Sequence, residues 1–200
     1  MDQGIWATWY DLPEGDNQDY FDWLHQHYLP ALLQRPGYVW AAHYEITGGG
    51  ESMQIISDRL VRPDDSKIGT GTQYVVLVGA VSPHVFFNPN VLSILENLDS
   101  TAKKMLKLRL GERVSIFNEE AHLNGPEFNQ RAPGTTPGPA IQMGSFRIRS
   151  LEEEFDLGSW YAQYRFPAMA RMPGCIATRK LVSIVGWAKH AVLYEFTSLE

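Results

Sequence analysis

From Gly4 to Leu12 the chain (GIWATWYDL) is apolar, aromatic and β-prone, which predicts a strand, and PEGDN then breaks it. Asn17 or Asp19 can cap a helix with acid in its first turn, matching the helix dipole and running to about residue 34. At 3.6-residue spacing Tyr20, Leu24, His27, Tyr28 and Ala31 share one face of it. Pro30 removes an interior hydrogen bond, so the spacing predicts a kink or a break into two short pieces. Pro36-Gly37 turns the chain into a second strand at 38–46. There Tyr38, Trp40, Ala42 and Tyr44 fall on one face, and Val39, Ala41, His43 and Glu45 on the other. Residues 47–72 are glycine-rich and polar and read as a long excursion. A third strand follows at 73–81, a helical region at 90–110 broken near Ser100, and a fourth strand at 113–119. The order is β-α-β-β-α-β.

The stretch from Trp23 to Gly37 (WLHQHYLPALLQRPG) is written again from Trp160 to Gly174 (WYAQYRFPAMARMPG). Trp23 answers Trp160, Pro30 answers Pro167, Ala31 answers Ala168 and Pro36-Gly37 answers Pro173-Gly174, each 137 residues apart without a gap. Such a fixed offset argues for internal duplication, and predicts that both tryptophans are buried against their sheets. At the same offset Met143–Arg149 answers Trp6–Leu12. A helix at 155–171 and strands at 175–185 and 190–197 complete the second copy. The fold class is therefore α+β, two ferredoxin-like repeats: the first over residues 1–123, a Pro- and Gly-rich linker over 124–139, and the second over 140–200. The second repeat has no counterpart of the 90–110 helix and the 113–119 strand. We expect the natural chain to continue, since a helix and three strands leave an apolar sheet edge unprotected.

Composition narrows the function classes. A net charge of −6, with no stripe of Lys or Arg, argues against nucleic-acid binding. The single cysteine, Cys175, excludes an intrachain disulfide and a multi-cysteine metal site. No apolar run is long enough for a membrane span and no signal segment opens the chain, so a cytoplasmic location is expected. Six Trp, nine Tyr and nine Phe supply large rings, either for bulk packing or for the walls of a ligand cavity.

A first helix of the form W-x-x-x-H-x-x-P ending in L-x-x-x-P-G, here Trp23, His27, Pro30 and Pro36-Gly37, resembles that of the dimeric α+β barrel superfamily, and within it the EthD-like proteins. The resemblance implies two ferredoxin-like units whose sheets close a barrel, within one chain or between the chains of a homodimer, with a small-molecule ligand. Members range from cofactor-free monooxygenases and polyketide cyclases to haem-binding enzymes, so the fold alone names no reaction.

Two candidate bases stand out. His27, which the resemblance places at a family histidine position, lies one turn after Trp23. His43 shares a strand face with Glu45, as an acid–base pair or as two of the ligands a metal would need; no third ligand is spaced to complete a metal site. The second copy has Tyr164 and Lys180 in the places of the two histidines. Ordinary helix or surface histidines explain both equally well. Trp6, Tyr10, Trp40 and Tyr44 are the candidate walls for a flat apolar or phenolic ligand, or else part of the sheet–helix core. Arg147 and Arg179 are strand arginines that would bind a carboxylate if turned inward, and His84 lies in a loop. No nucleophile elbow and no phosphate loop is present. These features leave three functions open: a cofactor-independent enzyme on an aromatic or polyketide-like substrate, a non-catalytic ligand-binding or accessory protein, and a haem-binding barrel.

Overall fold

A computed structural model describes residues 2–48, 67–129 and 137–199. Most of the excursion at 47–72 and half of the predicted linker thus lie outside the described residues. The described chain gathers into two units, 2–47 with 67–118, and 119–129 with 137–199. Both are mixed α+β with antiparallel sheets.

The first unit contains β1 (Gly4–Asp11), α1 (Gln18–Trp23), α2 (Leu29–Leu33), β2 (Tyr38–Glu45), β3 (Tyr74–Ala80), α3 (Val91–Glu96), α4 (Ser100–Leu106) and the first part of β4 (Leu110–Asn124). Its strands lie in the order β2-β3-β1-β4, every neighbour antiparallel. β4 is longer than predicted. Glu119 and Glu120, which read as the polar end of a strand, are strand residues of the second unit paired with Arg179 and Lys180 there.

Pro30 does not break the first helix. α1 runs into α2 through a π-turn at Leu24–Tyr28, where the Leu29 N–H reaches back five residues to the Leu24 carbonyl. Pro30 has no N–H for the Gln26 carbonyl, and the widened turn just before it accommodates the missing bond while the backbone stays helical. The extra residue changes the phase of the buried face. It continues through Tyr20, Leu24, Tyr28 and Leu32, all buried, while His27 and Ala31, which the plain spacing puts on that face, are exposed.

That face packs on Trp6, Tyr10, Val76 and Val78 of the sheet, with Trp23, Leu29, Phe86 and Val91 filling in. Each fully buried apolar side chain contributes about 1.5–3 kcal/mol.

Lateral register decides which strand residues join this core. Trp6 stands beside Val78 and Ala41, Thr8 beside Val76 and His43, and Tyr10 beside Tyr74. Trp40 stands beside Gly79 and Ile5, and Tyr44 beside Val75 and Trp9. Trp40 and Tyr44 therefore face away from Trp6 and Tyr10, a correction to the single aromatic wall expected from the sequence. Alternation fixes faces within one strand, but only register relates two strands. Gly79 is required here, because a Cβ on it would lie 2.1 Å from the Trp40 indole. A bulge between Tyr38 and Trp40 sets Tyr38 on the face of Trp6 instead, and both rings meet Phe86, at 5.4 and 6.2 Å.

The second unit holds the end of β4, β5 (Ala140–Phe146), α5 (Leu151–Trp160), a π-turn at Tyr161–Arg165, α6 (Phe166–Met169), β6 (Cys175–Val185) and β7 (His190–Phe196). Its strand order is β4-β6-β7-β5. The start of the predicted linker is tied down, since the N–H groups of Gly125 and Glu127 donate to the carbonyls of Ile176 and Cys175. Tyr161, Met169, Cys175, Val192 and Tyr194 form its core. Trp160 is 44% exposed whereas Trp23 is 8% exposed, so the expected burial of both tryptophans fails for the second. Trp23 packs against the rings of Tyr20 and Tyr28. The corresponding places beside Trp160 hold Leu157 and Arg165. No helix among the described residues is long and apolar enough to cross a membrane.

Candidate functional site

The first unit gathers five polar side chains in its helix–sheet core. β1 brings Tyr10, β2 brings His43, α1 brings Tyr20, the π-turn brings His25, and the turn between α4 and β4 brings Arg109. The Arg109 side chain is only 4% exposed. Its Nε–H donates to Tyr20 Oη at 2.8 Å and its Nη1 to Glu112 at 3.2 Å, while its guanidinium lies 4.5 Å from the centre of the Tyr10 ring. The Tyr10 and Tyr20 rings meet edge to face, 5.9 Å between centres. Tyr10 Oη lies 3.0 Å from His43 Nε2, and His43 Nδ1 lies 2.9 Å from His25 Nε2 on the exposed side of the helix.

Arginine can only donate, so Tyr20 accepts from Arg109. The Tyr10–His43–His25 contacts run one of two ways, set by the histidine tautomers. In one of them Tyr10 donates to His43 Nε2 and His43 donates from Nδ1 to His25, a surface imidazole.

The electrostatics agree with neutral groups inside. Burial, then the charges possible on His25 and Arg109, pull His43 down to about 4, so it is uncharged at neutral pH. Burial raises Tyr10 and Tyr20 and pushes Tyr28 up to about 12. Burial opposes the charge on Arg109, but Tyr20, Glu112 and Tyr10 around it more than offset this and its pKa rises.

Four buried polar atoms on this same face have no hydrogen-bond partner among the described residues: Trp6 Nε1, Tyr28 Oη, Tyr38 Oη and Arg109 Nη2. Left unsatisfied, each costs the fold about 1–3 kcal/mol.

Of the residues singled out in the sequence, the structure brings Tyr10 and His43 together and places Trp6 on their face. His27 is exposed and outside the series, one position round the helix from where plain spacing sets it. Glu45 is exposed and is not the partner of His43. Arg179 is engaged by Glu119, Arg147 donates to the Trp187 carbonyl, and His84 is exposed. Sequence reasoning missed His25, Tyr20, Tyr28 and Arg109 as site residues. The two tyrosines were visible only as apolar-face residues, and Arg109 in LKLRLGER looks like its basic neighbours. Among the described residues no group of three or more His, Cys, Asp or Glu could hold a metal ion. Haem does not fit His43 as an axial ligand, because both ring nitrogens are already engaged.

No protein-family model and no curated protein sequence matches the chain. Solved structures do. An anthrone oxidase-like protein aligns over 99% of this chain and 74% of its own with a TM-score of 0.57 at 10% identity. A candidate monooxygenase from Lactobacillus acidophilus aligns over 99% of this chain and 78% of its own with a TM-score of 0.51 at 9% identity. The chain shares the mixed α+β fold of these neighbours.

Proposed function

We propose that the chain is an internally duplicated, EthD-like member of the dimeric α+β barrel proteins. On this reading it is an enzyme that removes a proton from an aromatic or polyketide-like substrate in its first unit, without an organic cofactor. The observation that carries this reading is the series Tyr10–His43–His25, with the Arg109 guanidinium over the Tyr10 ring. The substrate proton passes to Tyr10 as the Tyr10 proton moves to His43 Nε2 and the Nδ1 proton moves on to His25. His43 never holds two protons in this passage, as an imidazole with a pKa near 4 requires. Arg109 stabilises the anion left behind. With an anthrone, that carbanion reduces dioxygen: one oxygen atom becomes the new carbonyl and the other leaves as water.

Duplication is supported by backbone detail as well as by residue identities. The π-turns at Leu24–Tyr28 and Tyr161–Arg165 stand 137 residues apart, as do the bulges after Tyr38 and Cys175. Gly37 and Gly174 share a positive φ, at 84° and 81°. The first strands correspond one residue closer. Ala140 beside Phe196 answers Gly4 beside Ala80, which shifts by one the match expected between Met143 and Trp6. By this correspondence Tyr10, Tyr20, His25 and His43 become Phe146, Leu157, Ala162 and Lys180, so only the first unit carries the series.

Oxygen uptake and anthraquinone absorbance with anthrone test the reading. Wild-type protein turns the substrate over, His43→Ala loses about 100-fold or more, and His27→Ala keeps its rate. No turnover by the wild type, or an unchanged rate in His43→Ala, overturns it.

A further inference from the structure

The relay accounts for the bonded atoms of the core but leaves four buried ones without partners, and these describe a ligand. Trp6 Nε1 and Arg109 Nη2 can only donate, so whatever meets them offers acceptors. The hydroxyls of Tyr28 and Tyr38 can give or take. All four groups belong to one neighbourhood. The Arg109 guanidinium lies 5.9 Å from the centre of the Tyr28 ring, and the Phe86 ring meets both Tyr38 and Trp6. Around them the walls are rings: Tyr10, Trp23 and Phe86.

The state of Arg109 specifies the ligand further. Its Nε is taken by Tyr20 and one Nη1 hydrogen by Glu112, so Nη2 is the nitrogen left to meet a ligand. It offers one N–H group to one oxygen, with the Tyr28 hydroxyl nearby as a second contact. We propose that the helix-facing core of the first unit is a recognition site for a planar aromatic with a single anionic or enolisable oxygen, a phenolate or enolate. Arg109 Nη2 and Tyr28 Oη hold that oxygen, and Trp6 and Tyr38 meet an acceptor at the far end of the ring system. This rests on the reading that a small aromatic binds in the first unit, but it does not require turnover.

Equilibrium binding of naphthol, naphthoate and naphthalene, followed by fluorescence, tests it. Naphthol binds most tightly, and the absorbance band of its anion appears at lower pH when bound, because the cation stabilises it. Tyr28→Phe weakens naphthol by about tenfold, one hydrogen bond, and leaves naphthalene unchanged. Since the Tyr28 hydroxyl has no protein partner, the melting temperature of this variant stays the same or rises; Tyr38→Phe gives a second reading of the same kind. A preference for naphthoate, no binding of naphthol, or Tyr28→Phe binding naphthol as the wild type does overturns the proposal. Anthrone turnover that survives His43→Ala beside a binding loss in Tyr28→Phe removes the relay and leaves the recognition site standing.

Discussion

His43 is an uncharged imidazole held between a phenol and a second imidazole, and this has a consequence for stability. Its folded pKa, about 4, lies below the ordinary histidine value of 6.5. Between these values the unfolded chain binds more protons, so stability rises with pH and is lost as pH falls from about 6.5 through 4. The full loss is on the order of 3 kcal/mol. Denaturant midpoints at pH 7 and pH 4.5 should show it in the wild type and show less of it in His43→Gln; equal pH dependence would place His43 in water. The histidine was legible from its place on a strand face with Glu45, which is exposed and does not meet it. Its partners were not, because Tyr10 and His43 meet through register and His25 through the phase of a helix, and neither is written in local spacing.

At the scale of elements, the first helix was legible in extent but not in phase. A proline within a helix leaves one carbonyl without its donor, and a kink, a break or a widened turn each answers that. The π-turn was the outcome, and it kept Tyr28 inward while His27 and Ala31 came to face outward. The two helices share this device but not their packing. Trp23→Ala should cost about 3–5 kcal/mol, as large-to-small changes in a core do, and Trp160→Ala about 1 kcal/mol or less, as for an exposed site. Similar losses in denaturant melts of the two variants would contradict the difference in their surroundings.

For the molecule as a whole, element order and the repeated helix could be read from the chain because alternation, Pro-Gly turns and the 137-residue offset are local signals. The division of labour could not, since it depends on which positions of each copy kept polar side chains that meet in space. Lys180 stands where the first unit has His43 and is paired with Glu120, 44% exposed at its side chain. Lys180→Met should therefore leave anthrone turnover within about twofold of the wild type, because the chemistry is placed in the first unit. A loss as deep as that of His43→Ala would move the chemistry to the second unit.

The account turns on one proton. For the relay to run from Tyr10 to His25, His43 must carry its hydrogen on Nδ1 and accept from Tyr10 at Nε2. Nitrogen-15 NMR of histidine-labelled protein reads this directly. At pH 7 the His43 spectrum should show a neutral ring protonated at Nδ1, unchanged down to about pH 5. A ring protonated at Nε2, or one charged at pH 7, would reverse the direction of the series and contradict the relay.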